Sequence, residues 1–223
     1  VGRYALGGNT TADLNTAIGY AAMQANTTGQ YNVSVGAYAL DANTTASNNT
    51  AIGYHSLTAN TDGYRNTAIG YQSMYSNTSG FDNVAVGDQA LDANTTGDYN
   101  TAVGRNSLSS ITTTDGHTAV GYNALMANAT GLYNCAVGFE AAHDSTDKNQ
   151  ITAIGYKALH VADGHANTAV GFEAMGVGSA TGGYSTAVGR QSLRTVIGGN
   201  NAALGYASGY DLTTGVFPSP KLL

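Results

Sequence analysis

The side chains able to do chemistry in this chain are few and scattered. Five histidines stand at 55, 117, 143, 160 and 165, and they do not recur at a metal-ligand spacing. His143-Asp144 and Asp163-Gly164-His165 lie where the sequence pattern departs most, from Glu140 to Gln150 and from Val161 to Ala166. Imidazole and carboxylate groups there are the donors a zinc or calcium ion would use. The glycine- and aspartate-rich calcium-binding repeat is absent, however, and the expectation is no metal and no cofactor. Glu140, His143 and Asp144 are kept as ligand-contact candidates, because irregular loops on a rigid scaffold are where recognition concentrates. Loops at 140–148 and 176–184 are the first places to look. The single Cys135 excludes an intrachain disulfide and reads as a small buried filler rather than a reactive thiol. No Gly-x-Ser-x-Gly elbow, fixed-offset Glu pair or phosphate-cradling Gly-Lys-Ser/Thr is present, so no enzyme is expected.

Aromatic residues offer a second chemistry. Tyr20, Tyr54, Tyr71, Tyr122 and Tyr156, with Phe139, Phe172 and Tyr206, each follow a glycine of one recurring phrase. A column of rings at one position has flat apolar faces and polar tips suited to glycans. The plainer reading, which ranks first, is that the rings pack on one another. Arg3, Asp88, Arg105 and Arg190 occupy the same position, so it must reach solvent. Asn-x-Ser/Thr triplets at Asn9, Asn26, Asn32, Asn43, Asn48, Asn77, Asn94 and Asn128 are explained by turn chemistry more simply than by glycosylation.

What must position these groups is a repeat. Gly2, Gly19, Gly36, Gly53, Gly70, Gly87, Gly104, Gly121, Gly138 and Gly155 are separated by 17, and Gly171, Gly189 and Gly205 follow at 16, 18 and 16. The residue before the glycine is Val, Ile or Leu in all thirteen copies, and the one two before it is Ala in eleven of twelve. Three after it comes only Ala or Ser, and four after comes Leu or Met in eleven of thirteen. Asn66-Thr-Ala-Ile-Gly-Tyr71 reads as a short strand, with Ala68 and Gly70 on one face and Thr67, Ile69 and Tyr71 on the other. A second short extended piece is expected at Ser73-Met74. Asn-Thr-Thr-Gly, as in Asn26 to Gly29, is a turn. Such a unit cannot bury its own faces and must stack on its neighbours.

Coils spaced at about 4.8 Å would build a rod roughly 60 Å long. Asn four before the glycine, in nine of twelve copies, is expected to form an amide ladder along it. The glycine is expected to keep the roll thin enough for its two layers to touch. Residues 1–209 form one repeat array in this reading, with 210–223, which include both prolines, as a cap or linker.

Composition narrows the function classes. Charged residues are only 10% of the 223, and the net charge of −6 comes with no Lys/Arg cluster, which excludes a nucleic-acid footprint. No apolar run is long enough to span a bilayer. Since Val1-Gly2 already lies inside a repeat, the sequence is expected to be a piece of a longer polypeptide.

A thin roll leaves Ile18, Val35, Ile52, Ile69, Val86, Val103 and Val120 along one side, more apolar surface than monomers usually show to water. Lateral self-association would bury them. Asn15 to Gly19 and Asn167 to Gly171, reading Asn-Thr-Ala-Ile/Val-Gly, resemble the repeats in heads of trimeric autotransporter adhesins, and the fuller phrase Asn66 to Gly80 is similar to repeats in tail-fibre-like proteins of phages and bacteria. The resemblance covers about 1–209 and implies an all-β left-handed parallel β-roll, a β-solenoid of 17-residue repeats assembled as a homotrimer. It implies an adhesive module of an extracellular fibre on a virion or cell surface, with a glycan or protein receptor as partner. An end-to-end stacked filament is the alternative. Ice binding ranks last, because the Thr three before the glycine is expected to be buried beside the Ile.

Overall fold

The computed structural model describes residues 1–161, 164–177 and 182–212. The chain divides into two compact units, Val1–Gly116 and His117–Leu223. In the first, β1 (Thr16–Ile18), β2 (Val33–Val35), β3 (Thr50–Ile52), β4 (Thr67–Ile69), β5 (Val84–Val86) and β6 (Thr101–Val103) pair in chain order, each parallel to the next. Equivalent residues stand side by side, Ala51 on Ala68 and Ile52 on Ile69. The second unit repeats this with β7 (Thr118–Val120), β8 (Cys135–Val137), β9 (Thr152–Ile154), β10 (Thr168–Val170) and β11 (Thr186–Val188). After β12 (Thr195–Val196) comes β13 (Ala202–Leu204), which extends the main sheet beside β11, and β14 (Asp211–Leu212), which pairs with β12. Each unit is therefore an all-β parallel solenoid. The 16- and 18-residue spacings leave the strand register intact, with Thr152, Thr168 and Thr186 aligned. No helix among the described residues is long and apolar enough to cross a membrane.

The strand is short because its sequence changes character at the glycine. Thr67-Ala68-Ile69 alternates as expected, with Ala68 fully buried and its neighbours half-buried. Gly70 then adopts φ 138°, which side-chain-bearing residues rarely reach, and the chain turns. Across the interior, the Ser73 hydroxyl donates to the Ala85 carbonyl of the next coil at 3.0 Å. Small residues thus bring the two sides of the roll into contact. Met23, Leu40, Leu57, Met74, Leu91 and Leu108, four after each glycine, form the buried aliphatic column of the first unit. Leu125, Leu159, Met175 and Leu193 do so in the second.

Three sequence expectations need correction. Ser73-Met74 is not a second strand. Gln72 and Met74 have φ near 51°, so the backbone alternates in hand. The Gln72 N–H donates back to Tyr54 O at 2.9 Å and the Met74 N–H forward to Ala90 O at 3.0 Å. This segment bonds between coils as a strand would, in a conformation no propensity scale assigns to Met or Leu. The cost of the left-handed residues, about 1–3 kcal/mol each, is offset because every coil repeats the same hydrogen bonds.

The glycine's role also differs. A Cβ on Gly70 would lie 2.3 Å from Gly87 O, in the adjacent coil rather than the opposite layer. The glycine sets how closely coils stack, and the Ala and Ser positions set how thin the roll is.

The amide ladder lies at the turn asparagine instead. Asn43 Nδ2 donates to Asn26 Oδ1 at 2.8 Å, Asn77 to Asn60 at 2.9 Å and Asn94 to Asn77 at 2.8 Å. The asparagines four before the glycine bond backbone: Asn49 Oδ1 accepts the Asn66 N–H at 3.0 Å, and Asn66 Nδ2 donates to Gly80 O at 2.7 Å. Gly80 O also accepts Asn77 Nδ2 at 3.1 Å, so one carbonyl per coil joins the two columns. These asparagines are buried.

Candidate functional site

Outward positions of the strand carry Thr, an aliphatic residue and, just past the glycine, an aromatic. Ile18 is 47% exposed and Leu204 59%, while Ile69, Val86 and Val120 are half-buried. Thr16, Thr118 and Thr186 are exposed, contrary to the expected burial of this position, because Thr and Ile share the outer face. Cys135 occupies the same position, aligned with Thr118 and Thr152, and is half-buried rather than a core filler.

The aromatic candidates do stack. In the first unit Tyr54 and Tyr71 are parallel within 13° at 5.7 Å, whereas Tyr20 meets Tyr4 and Tyr38 edge-on. In the second, Tyr122, Phe139, Tyr156 and Phe172 form one parallel stack with centroids 5.1, 5.4 and 4.9 Å apart. The Arg190 guanidinium lies over both Phe172 and Tyr206. A further recurring aromatic position escaped the sequence reading. Tyr31, Tyr99, Tyr133 and Tyr184, five before a glycine, are with Tyr206 the most exposed tyrosines, all four with left-handed φ. Their recurrence at one offset was the available signal. Tyr184 lines an open depression of about 300 Å³ with Thr186, Asn200, Asn201 and Ala202. The loop at 176–184 otherwise falls partly outside the described residues, as does Asp163.

The segment 140–148 is not an irregular loop. Ala142 N–H donates to Ala158 O and Asp144 N–H to His160 O, both at 2.9 Å, so its backbone follows the ordinary coil. What changes is the side chains. The Glu140, His143 and Asp144 candidates come together with His160 and Lys157, which were not singled out. His143 Nδ1 is 2.6 Å from Asp144 Oδ1, and His160 Nδ1 is 3.9 Å from Asp144 Oδ2. His160 Nε2 sits 3.2 Å from Glu140 Oε2, which also takes Lys157 Nζ at 3.3 Å. That carboxylate holds the Lys157 ammonium above its usual pKa. The two imidazoles are parallel within 5° at 5.2 Å. His55 is spent elsewhere, stacked on Tyr38 and bonded to Thr58. His117 accepts the Asn134 N–H and His165 the Asn149 N–H, as backbone partners.

No family model, no curated protein and no solved structure matches this chain.

Proposed function

We propose that this chain is a structural and adhesive module of an extracellular fibre, on a virion or a cell, whose coils associate laterally as a homotrimer. The observation that carries the reading is the outward aliphatic column, in which Ile52 is 37% and Ile154 40% exposed at one position of the repeat. Water contact with a continuous apolar strip is unfavourable, at about 25 cal/mol per Å², and a strip repeating with the coil is matched in length and spacing by the same strip on another copy. The likeness of Asn-Thr-Ala-Ile-Gly to trimeric adhesin-head repeats favours three copies over two. Three identical sets of exposed rings then bind a surface glycan or protein through many weak contacts. Sedimentation velocity tests this: the expected particle contains three chains of 22.6 kDa, and Ile52→Lys with Val86→Lys shifts it towards the monomer. A monodisperse wild-type monomer overturns the reading.

Ice binding gains one observation, the outward Thr beside Ile or Val in parallel register. Both readings use the same face, so a trimer without thermal hysteresis removes the second.

A further inference from the structure

We propose that His143, Asp144 and His160 form a binding site for a divalent transition-metal ion of the zinc class, with Glu140 as the positioning residue behind His160. One donor atom from each of the three residues lies within 4.8 Å of the other two. Two imidazole nitrogens and one carboxylate oxygen suit zinc and its neighbours rather than calcium or magnesium, which prefer oxygen alone. Donors around a tetrahedral ion with bonds of about 2.0–2.1 Å stand roughly 3.4 Å apart. Closure therefore requires side-chain rotation of about 1 Å and exchange of the His143–Asp144 hydrogen bond for two metal bonds.

The fold makes this convergence a property of the scaffold. His143 and His160 both stand five after a glycine, on consecutive coils, so the ladder holds them one above the other. The Asp144 N–H to His160 O bond at 2.9 Å and the Ala127 N–H to His143 O bond at 3.0 Å fix the backbone on both sides. Glu140 near His160 Nε2 directs the lone pair of Nδ1 towards Asp144, the carboxylate–histidine arrangement behind many metal ligands. The Asp144 carboxylate has only the two imidazoles as ion-pair partners among the described residues. By contrast Asp82, Asp88 and Glu173 are each paired with an arginine. Asp144 is exposed, which gives an ion from solvent a way in.

The test is titration calorimetry of the untagged chain with zinc chloride. One equivalent is expected per chain. His143→Ala and His160→Ala should each weaken binding more than tenfold, and so should the near-isosteric Asp144→Asn, which preserves shape at an exposed position. Glu140→Gln should weaken it about 10- to 100-fold while leaving the stoichiometry at one. His55→Ala should leave binding unchanged. Cobalt substitution, read from its visible absorption, provides a signal that depends on ligand geometry and not on stability. Absence of zinc binding, or equal affinity in the Asp144→Asn and wild-type chains with both folded by circular dichroism, overturns the proposal.

Discussion

Replacing the repeat glycine by alanine separates two costs that usually travel together. Gly70 and Gly205 both have φ beyond 115°, at 138° and 119°, but a Cβ on Gly70 would meet Gly87 O at 2.3 Å and C at 2.6 Å, whereas on Gly205 it would meet nothing within 4 Å. Gly205→Ala therefore carries the backbone term alone, about 1–3 kcal/mol. Gly70→Ala adds a steric term. Restoring an ordinary contact means moving the adjacent coil by about 1 Å, which strains the bond from Gly87 N–H to Ile69 O, now 2.8 Å. Leaving such groups poorly paired costs about 1–3 kcal/mol, so the total at Gly70 comes to about 2–6 kcal/mol. Because repeat arrays open locally, the assay is native-state hydrogen exchange read by mass spectrometry on peptides covering 60–90 and 195–212. The expected result is a far larger loss of protection around β4 and β5 than around β13, with Gln72→Gly close to neutral because that residue already has a left-handed φ. Equal losses at Gly70 and Gly205 would refute coil-to-coil contact as the reason for the glycine.

The buried amide column predicts a gain as well as a loss. Asn77→Ala should destabilise by about 1–3 kcal/mol in urea denaturation, because Asn60 Oδ1 loses the Asn77 donor and Asn94 Nδ2 keeps only Gly97 O of its two acceptors. Ser145 stands where the column needs Asn, leaving its hydroxyl and Asn128 Oδ1 buried without partners, so Ser145→Asn should stabilise, and a lower denaturation midpoint would count against the column. Asp41 and Asp92 each have one buried, unpartnered oxygen, and burial raises both carboxyls above their ordinary pKa. A carboxyl raised in the folded state favours folding below its unfolded pKa and loses that contribution as pH rises through the folded value. Asp41→Asn and Asp92→Asn should therefore raise the melting temperature at pH 7, with the benefit vanishing below about pH 4; a benefit that grows on acidification contradicts the sign.

The sequence was legible wherever a residue type has one cheap explanation. Recurring Ala68 and Ile69 gave the strand, its two faces and its stacking partner, and Asn26-Thr-Thr-Gly29 marked the bend at Thr27 and Thr28. Legibility failed at Gln72 and Met74, because nothing in an isolated side chain announces a left-handed backbone that only inter-coil hydrogen bonds sustain. It failed again between the two asparagine columns. Both Asn66 and Asn77 are buried amides, and only their distance from the neighbouring coil's amide or backbone decides which one makes the ladder.

The candidate site was read only in part, without His160 and Lys157, for a related reason, which bears on how this fold can acquire function. Metal-ligand spacings are read along a chain, as one turn of helix or a tight loop, but in a solenoid the nearest neighbour is a whole repeat away. His143 and His160, or Tyr54 and Tyr71, are adjacent in space at a separation of 17. The buried positions are nearly invariant from coil to coil, whereas the position five after the glycine holds Asp41, Thr58, Tyr75, Asp92, Ser109, Met126, His143 and His160 in turn. Changes there leave the backbone path alone, as the unbroken ladder through Asp144 demonstrates. Two substitutions one repeat apart are enough to place two donors face to face on a preformed scaffold. Surface chemistry on this fold is therefore written in columns, and a change of side chain there requires no change of backbone path.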